Sequence, residues 1–240
     1  MSSTTPTPPP SSLTERRKAE TRMEIARVAA GLFVRHGLRA TRAEDIAQAA
    51  GIAPRTFYRY FATKEEAVAP LYATGAQRWV EAVRAAPPEA GVLRALEQGV
   101  HHTLTPGVGV SVSSWEWVRT LLRLAEATPS LGRVWAEVCQ ASERRLGEVL
   151  AERVTRAGSS GVGGASEAGG ASELGDNVAV AGESPALTPD LRFAAAVASA
   201  AVRAALEAWA AGDGPVEGPD GPAELALRNL SALRDFPWGR

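Results

Sequence analysis

The sequence predicts an all-α protein, with an N-terminal three-helix domain followed by a helical bundle. Three observations predict it. Alanine is abundant and aromatics make up only 6% of the 240 residues, which favours closely packed helices over sheet. Apolar residues recur at steps of three and four along most of the chain, and no alternating strand pattern persists. Helix punctuation separates those segments: capping pairs, glycine stops and proline restarts.

Residues 1–12 are Pro, Ser and Thr without charge and read as a disordered tail. Leu13 to His36 is expected as one helix, with Ile25, Ala29 and Phe33 on its apolar side and Gly37 as its stop. Thr41 with Glu44 fits the S/T-x-x-E capping box, so a helix begins near Arg42 and carries Ile46, Ala47 and Ala50 inward until Gly51. Pro54 restarts the chain at a first helical position, where a missing N–H costs nothing. Phe57 and Phe61, four apart, turn that helix towards the core, together with Ile52. Thr63 and Glu66 repeat the capping pattern for a helix running to about Val83, with Pro70 one turn inside as a bend.

The remainder, 63–240, is expected as a second domain. Pro87-Pro88 is a break, Val92 to Leu104 is a helix, and Thr105-Pro-Gly-Val-Gly is a loop. Ser111 to Ala127 follows, Pro129 breaks the chain, and Leu131 to Arg156 is strongly amphipathic. Residues 157–188 turn abruptly rich in Gly and Ser and read as a flexible loop. Thr188 or Asp190 caps a helix over Leu191 to Ala211, and Pro222 to Arg234 is the last.

Hydrophobic content of 45% and charged content of 22% are ordinary for a globular chain. No run of 18 apolar residues appears and the N-terminus lacks the features of a signal peptide, so the expectation is a cytoplasmic protein with no membrane partner. The one cysteine, Cys139, excludes an internal disulfide and reads as a small buried hydrophobe. The net charge of −1 hides an asymmetry. Residues 14–64 hold eleven Lys or Arg against five acids, a net of +6, which leaves −7 for the rest. A basic module joined to an acidic one is the pattern of a DNA-facing domain with a partner domain.

Two short helices around the Gly51 turn form a helix-turn-helix, an arrangement whose second helix enters the major groove. The stretch also resembles a known family, the TetR transcriptional regulators, from about Thr21 to Val68. The resemblance is carried by T-R-x-x-I-x-x-x-A-x-x-L-F-x-x-x-G, by D-I-A-x-x-A-G-I, and by T-F-Y-R-Y-F-x-T-K-E-E. One departure is Ala53, where such sequences usually carry serine as the cap of the recognition helix; alanine is weaker there by about 1 kcal/mol.

The resemblance implies a regulator, chiefly a repressor, that reads a palindromic operator in double-stranded DNA as a homodimer and answers to a small hydrophobic ligand. It implies base-facing roles for Ala53, Pro54, Arg55 and Thr56, contacts to base or backbone from Tyr58, Arg59 and Tyr60, and phosphate contacts from Thr41, Arg42 and Lys64. Arg55 is the first candidate for specificity, since a guanidinium pairs bidentately with guanine. The bundle is expected to hold the ligand among Trp79, Trp115, Trp117, Leu121, Trp135 and Phe193, and to dimerise through a helix with a small-residue stripe, Ala194, Ala198, Ala201, Ala205 and Ala208, together with Trp209 on another face and Leu230. Ordinary core packing explains most of these aromatics equally well.

No cofactor or metal is expected. His101 and His102 are adjacent, so their side chains diverge by about 100° on a helix. An enzyme is disfavoured by the absence of G-x-S-x-G, Walker, H-E-x-x-H and C-x-x-C patterns. The rival reading is a helical protein-interaction module without DNA binding.

Overall fold

A computed structural model of the chain describes residues 12–107, 112–161 and 187–238. The expected tail up to residue 11, and the expected loop from 162 to 186, lie outside the described residues. The helices are α1 (Leu13–His36), α2 (Ala43–Ala49), α3 (Pro54–Tyr60), α4 (Ala69–Ala85), α5 (Val92–Leu104), α6 (Val112–Ala127), α7 (Pro129–Gly161), α8 (Pro189–Ala211) and α9 (Pro222–Ser231). Among the described residues there is no strand. Two compact units are present, Met1–Tyr72 and Ala73–Arg240, and the division falls within α4.

In the first unit α1 has its predicted bounds. Ser12 is its N-cap, the hydroxyl accepting the Glu15 N–H at 3.2 Å, and Gly37 ends it at φ +78°. The α2 cap differs from expectation by one residue. Arg42 is the N-cap, and the Asp45 carboxylate accepts its N–H at 2.8 Å. Thr41 instead turns inward and donates its hydroxyl to the Gly37 carbonyl. Two acceptors, Asp45 and Glu44, compete for one capping register, and the chain takes the one that buries Thr41. After α2, Gly51 at φ +66° makes a paired-carbonyl stop: its N–H reaches Gln48 O at 3.1 Å and the Ile52 N–H reaches Ala47 O at 2.9 Å. Ile25, Ala29, Phe33, Ile46, Ala47, Phe57 and Phe61 meet in the core, and Ile52 is half-buried.

Thr63 and Glu66 close a 3-10 turn at Glu66–Val68, separate from α4. The Glu66 carboxylate accepts from Ala62 N–H, so the predicted capping pair exists but serves one short turn. Pro70 is consequently the second residue of α4, a first-turn position that tolerates its missing N–H, rather than one turn inside a helix begun at Thr63. The break expected at Pro129 falls at Thr128, between α6 and α7, with Pro129 as the first residue of α7; α7 runs on to Gly161, so residues 157–161 of the expected loop are helical.

In the second unit α5 has its predicted bounds. A Cβ built on Gly99 would come within 2.7 Å of Val83 and 3.1 Å of Trp79, so glycine is what lets α5 pack this closely on α4. Trp115 of α6 packs edge-on against Trp209 of α8 at 5.3 Å. Arg119 lies over the same indole, and Arg123 donates to Ala210 O and Gly212 O, satisfying the carbonyls that end α8. Thr188 caps α8 through the Leu191 N–H. α9 stops at Ser231, three residues short of the predicted end, and Asn229 on it donates to Ala201 O.

α8 contains an 18-residue window of mean hydropathy 1.3, of which 39% is buried within the chain. By length and composition alone it is apolar enough to cross a membrane, although Arg192, Ser199, Arg203 and Glu207 leave it without a continuous apolar run of that length.

Candidate nucleic-acid interface

The recognition helix α3 is held from behind. Phe57 is fully buried and Phe61 nearly so, their rings 5.7 Å apart. Arg22, which sequence reasoning counted only as a charge, donates to Tyr60 O at 2.8 Å and lays its guanidinium 4.5 Å above the Phe61 ring. It thereby caps the carbonyl end of α3 with a cation, the favoured sign at a helix C-terminus. The signal for it was the T-R pair at Thr21-Arg22, present in the motif but given no role.

The opposite side of α3 is open. Ala53, Pro54 and Arg55 are exposed and Thr56 is half-buried. Ala53 makes no side-chain cap, and Pro54 occupies the first helical position as expected. No hydrogen bond or ion pair ties the Arg55 guanidinium among the described residues, so its five donors remain for a ligand. Arg59 is exposed and lies 5.5 Å from the half-buried Tyr60 ring. Tyr58 is exposed, with its hydroxyl 3.4 Å from the Glu44 carboxylate.

The expected phosphate contacts are of two kinds. Arg42 is exposed. Thr41 is only 2% exposed, with its hydroxyl already committed, so its side chain is a structural one. The Lys64 ammonium donates to Leu38 O and Thr41 O, each at 2.7 Å, and so clamps the α1–α2 connection. One of its three N–H donors is left over.

The residues expected around a ligand differ widely in exposure. Trp79, Trp115 and Leu121 are buried in the bundle, Trp117 is 40% exposed, and Phe193 is 62% exposed with its ring against Phe236. Trp135 alone of the six lines a cleft of about 460 Å³ bounded by α6, α7 and α8, where its indole N–H donates to Glu207 at 2.9 Å. Cys139 lies in the same cleft, and burial pushes its thiol up to about 12, so it stays protonated at neutral pH. Among the described residues, six buried polar atoms of the bundle have no partner, Trp79 Nε1, Thr103 Oγ1, Trp115 Nε1, Arg119 Nε, Arg153 Nε and Ser199 Oγ.

The residues expected in the dimer stripe differ in how far their own chain covers them. Ala194, Ala198, Ala205, Trp209 and Leu230 are all buried by their own chain, and Ala201 is half-buried. On α8 the fully buried members, Ala194, Ala198, Ala205 and Trp209, face their own bundle. The outward face, one step round the helix, carries Phe193, Val197, Ala200, Ala204, Glu207 and Ala211, every one exposed or half-buried.

Comparison with known proteins places this geometry. The family model described as bacterial regulatory proteins, tetR family, matches residues 25–69. The chain is 31% identical over 159 residues to the HTH-type transcriptional regulator TcmR of Streptomyces glaucescens, covering 63% of this chain and 68% of that protein. It is 47% identical over 62 residues to the HTH-type transcriptional repressor KstR2 of Rhodococcus jostii (strain RHA1), covering 26% and 30% of the two chains. The fold is similar to that of Thermus thermophilus FadR, a TetR-family transcriptional repressor solved in complex with lauroyl-CoA: TM-score 0.50, 22% identity, 90% of this chain and 94% of that one. A helix-turn-helix with its recognition helix anchored behind and open in front, matched in sequence across two thirds of a regulator, leaves one assignment: the chain belongs to the TetR family of helix-turn-helix transcriptional regulators.

Proposed function

We propose that the chain is a cytoplasmic repressor, without enzymatic activity, that binds a palindromic operator as a homodimer and releases it when a small molecule enters the bundle. The head, residues 13–62, reads DNA; residues 63–240 dimerise and sense. The observation that carries the reading is the free guanidinium of Arg55, presented at the exposed start of a recognition helix whose other face is fixed. Ala53, Pro54 and Thr56 sit beside it to approach bases, Tyr58, Arg59 and Tyr60 flank them, and Arg42 with the remaining Lys64 donor meets phosphates. Thr41 serves by holding that loop.

The homodimer is supported by α8, an apolar helix with less than half of its most hydrophobic window covered by its own chain. A helix of that composition has to be covered on more than one side. An effector is supported by the unpartnered indole and hydroxyl groups of Trp79, Thr103 and Trp115, donors that an acceptor on an otherwise apolar molecule would satisfy. That FadR binds lauroyl-CoA is consistent with an apolar effector here.

The test is selection of sites from a random duplex pool at fixed salt, with Arg55→Ala alongside. The wild-type chain is expected to return a palindrome. The variant is expected to lose roughly 1–3 kcal/mol of discrimination at one base pair in each half-site while keeping its sequence-independent affinity. A folded wild-type protein that selects nothing favours the rival protein-interaction reading.

A further inference from the structure

The first turn of α2 carries two acids, and only one of them is used by the fold. Asp45 takes the capping N–H of Arg42. Glu44 takes no backbone donor of α2. Its Oε1 accepts from the Tyr58 hydroxyl at 3.4 Å, and its Oε2 lies 3.5 Å from Arg42 Nε. The Arg42 and Glu44 side chains are 76% and 46% exposed, so this small network faces solvent on the side where α3 is open. A carboxylate here is unexpected on electrostatic grounds. It stands among groups that approach a polyanion, repels phosphates, and holds a cation that would otherwise neutralise one.

We propose that Glu44 is a specificity-determining positioning residue of the DNA interface. It fixes the Tyr58 ring through the hydroxyl and competes with phosphates for Arg42. This rests on the reading of the head as the DNA-binding surface. Its consequence is selective. Sequence-independent affinity comes almost entirely from phosphate neutralisation, so a like charge and a sequestered arginine weaken it. Cognate binding, which also draws on base contacts, loses a smaller share. Glu44 therefore widens the gap between operator and bulk DNA rather than tightening either. Were it only a first-turn acid complementing the α2 dipole, its removal would lower stability and leave the DNA equilibria alone.

Three variants separate these roles. Glu44→Gln keeps an acceptor for Tyr58 and removes the charge. Tyr58→Phe removes the hydroxyl and keeps the charge. Glu44→Ala removes both. Affinity is measured against the selected operator and a scrambled duplex across a salt series. For Glu44→Gln, affinity for the scrambled duplex is expected to rise about fivefold near 0.1 M salt. Its log–log salt slope should steepen by up to about 0.9 as Arg42 gains a phosphate. For Tyr58→Phe, the scrambled-duplex slope is expected to stay at the wild-type value while operator affinity falls. Glu44→Ala should combine the two effects. Wild-type affinity and slope for Glu44→Gln on scrambled DNA would overturn the proposal. If the wild-type protein binds no duplex at all, the reading of the head fails and this inference falls with it.

Discussion

Ala204→Glu is expected to yield a folded monomer that has lost most of its operator affinity. Phe193, Val197, Ala200, Ala204, Glu207 and Ala211 follow one another at alternating steps of four and three, the spacing that keeps one seam of a helix against a partner helix. All are exposed or half-buried within the chain. Small residues along the middle of the seam let two backbones approach closely, and a carboxylate placed there in each copy would be desolvated beside its symmetry mate. Because the side chain is exposed in the monomer, the substitution leaves the chain's own packing intact. Loss of the dimer separates the two heads, and the second half-site then ceases to be an intramolecular contact. Effective concentrations for linked sites make that worth roughly 10²–10⁴-fold in affinity. Sedimentation velocity reads the mass and a gel shift on the selected palindrome reads the affinity. The neighbouring Ala205→Glu is the contrasting case: Ala205 is 1% exposed, so its carboxylate would be buried unpaired and the expected result is loss of fold. A dimeric Ala204→Glu with wild-type operator binding would place the seam elsewhere.

That one-residue difference shows what the sequence could and could not reveal. α8 has alanine on nearly every side, so composition says that the helix is covered all round but not which face its own chain covers. The stripe at Ala194, Ala198, Ala201 and Ala205 and the stripe beside it are equivalent until α6, α7 and α9 are in place. Where apolar residues of different size alternate with charge, as along α1 and α5, the bounds were legible to the residue. The caps were legible in kind but not in register, because Glu44 and Asp45 offer equal acceptors and the choice depends on burying Thr41. Pro70 read as a bend since proline is compatible with both a bend and a helix start, and only the preceding turn decides. At the DNA surface the exposed residues of α3 were named from the motif. The groups that hold it in place, Arg22 on Tyr60 O and Lys64 on Leu38 O and Thr41 O, were not, because long side chains choose partners 23 or more residues away.

Arg153 is the most consequential of these unread residues, and Arg153→Met is expected to destabilise the bundle by about 2–4 kcal/mol, a lowering of Tm by roughly 5–12 °C. The cause begins in the sequence at Pro87-Pro88. Two successive residues without N–H follow the end of α4, so the carbonyls that normally receive donors from the next turn are left facing inward. Arg153 on α7 fills the gap. It is 5% exposed, and its two terminal nitrogens donate to Val83 O, Ala86 O, Pro87 O and Ala90 O at 2.8–3.2 Å. Burial, and then Arg156 nearby, push its guanidinium below the usual arginine range, with Glu89 opposing. The charged form is retained all the same, since an arginine does not give up its proton in a protein. Beside it the Arg84–Glu152 pair at 3.0 Å makes a second tie between α4 and α7. Methionine fills the volume but leaves Ala86 O and Ala90 O without their donor, each costing about 1–3 kcal/mol when fully dry, while Val83 O and Pro87 O keep the Ala86 and Ala90 N–H groups; relief from burying the charge offsets part of the loss. Arg153→Lys should recover only part of the loss, because an ammonium has three donors on one nitrogen where the two terminal nitrogens of arginine span four acceptors. Thermal unfolding of the three proteins ranks them wild type, lysine, methionine. A methionine variant melting within 2 °C of wild type would mean that water replaces the guanidinium at the end of α4.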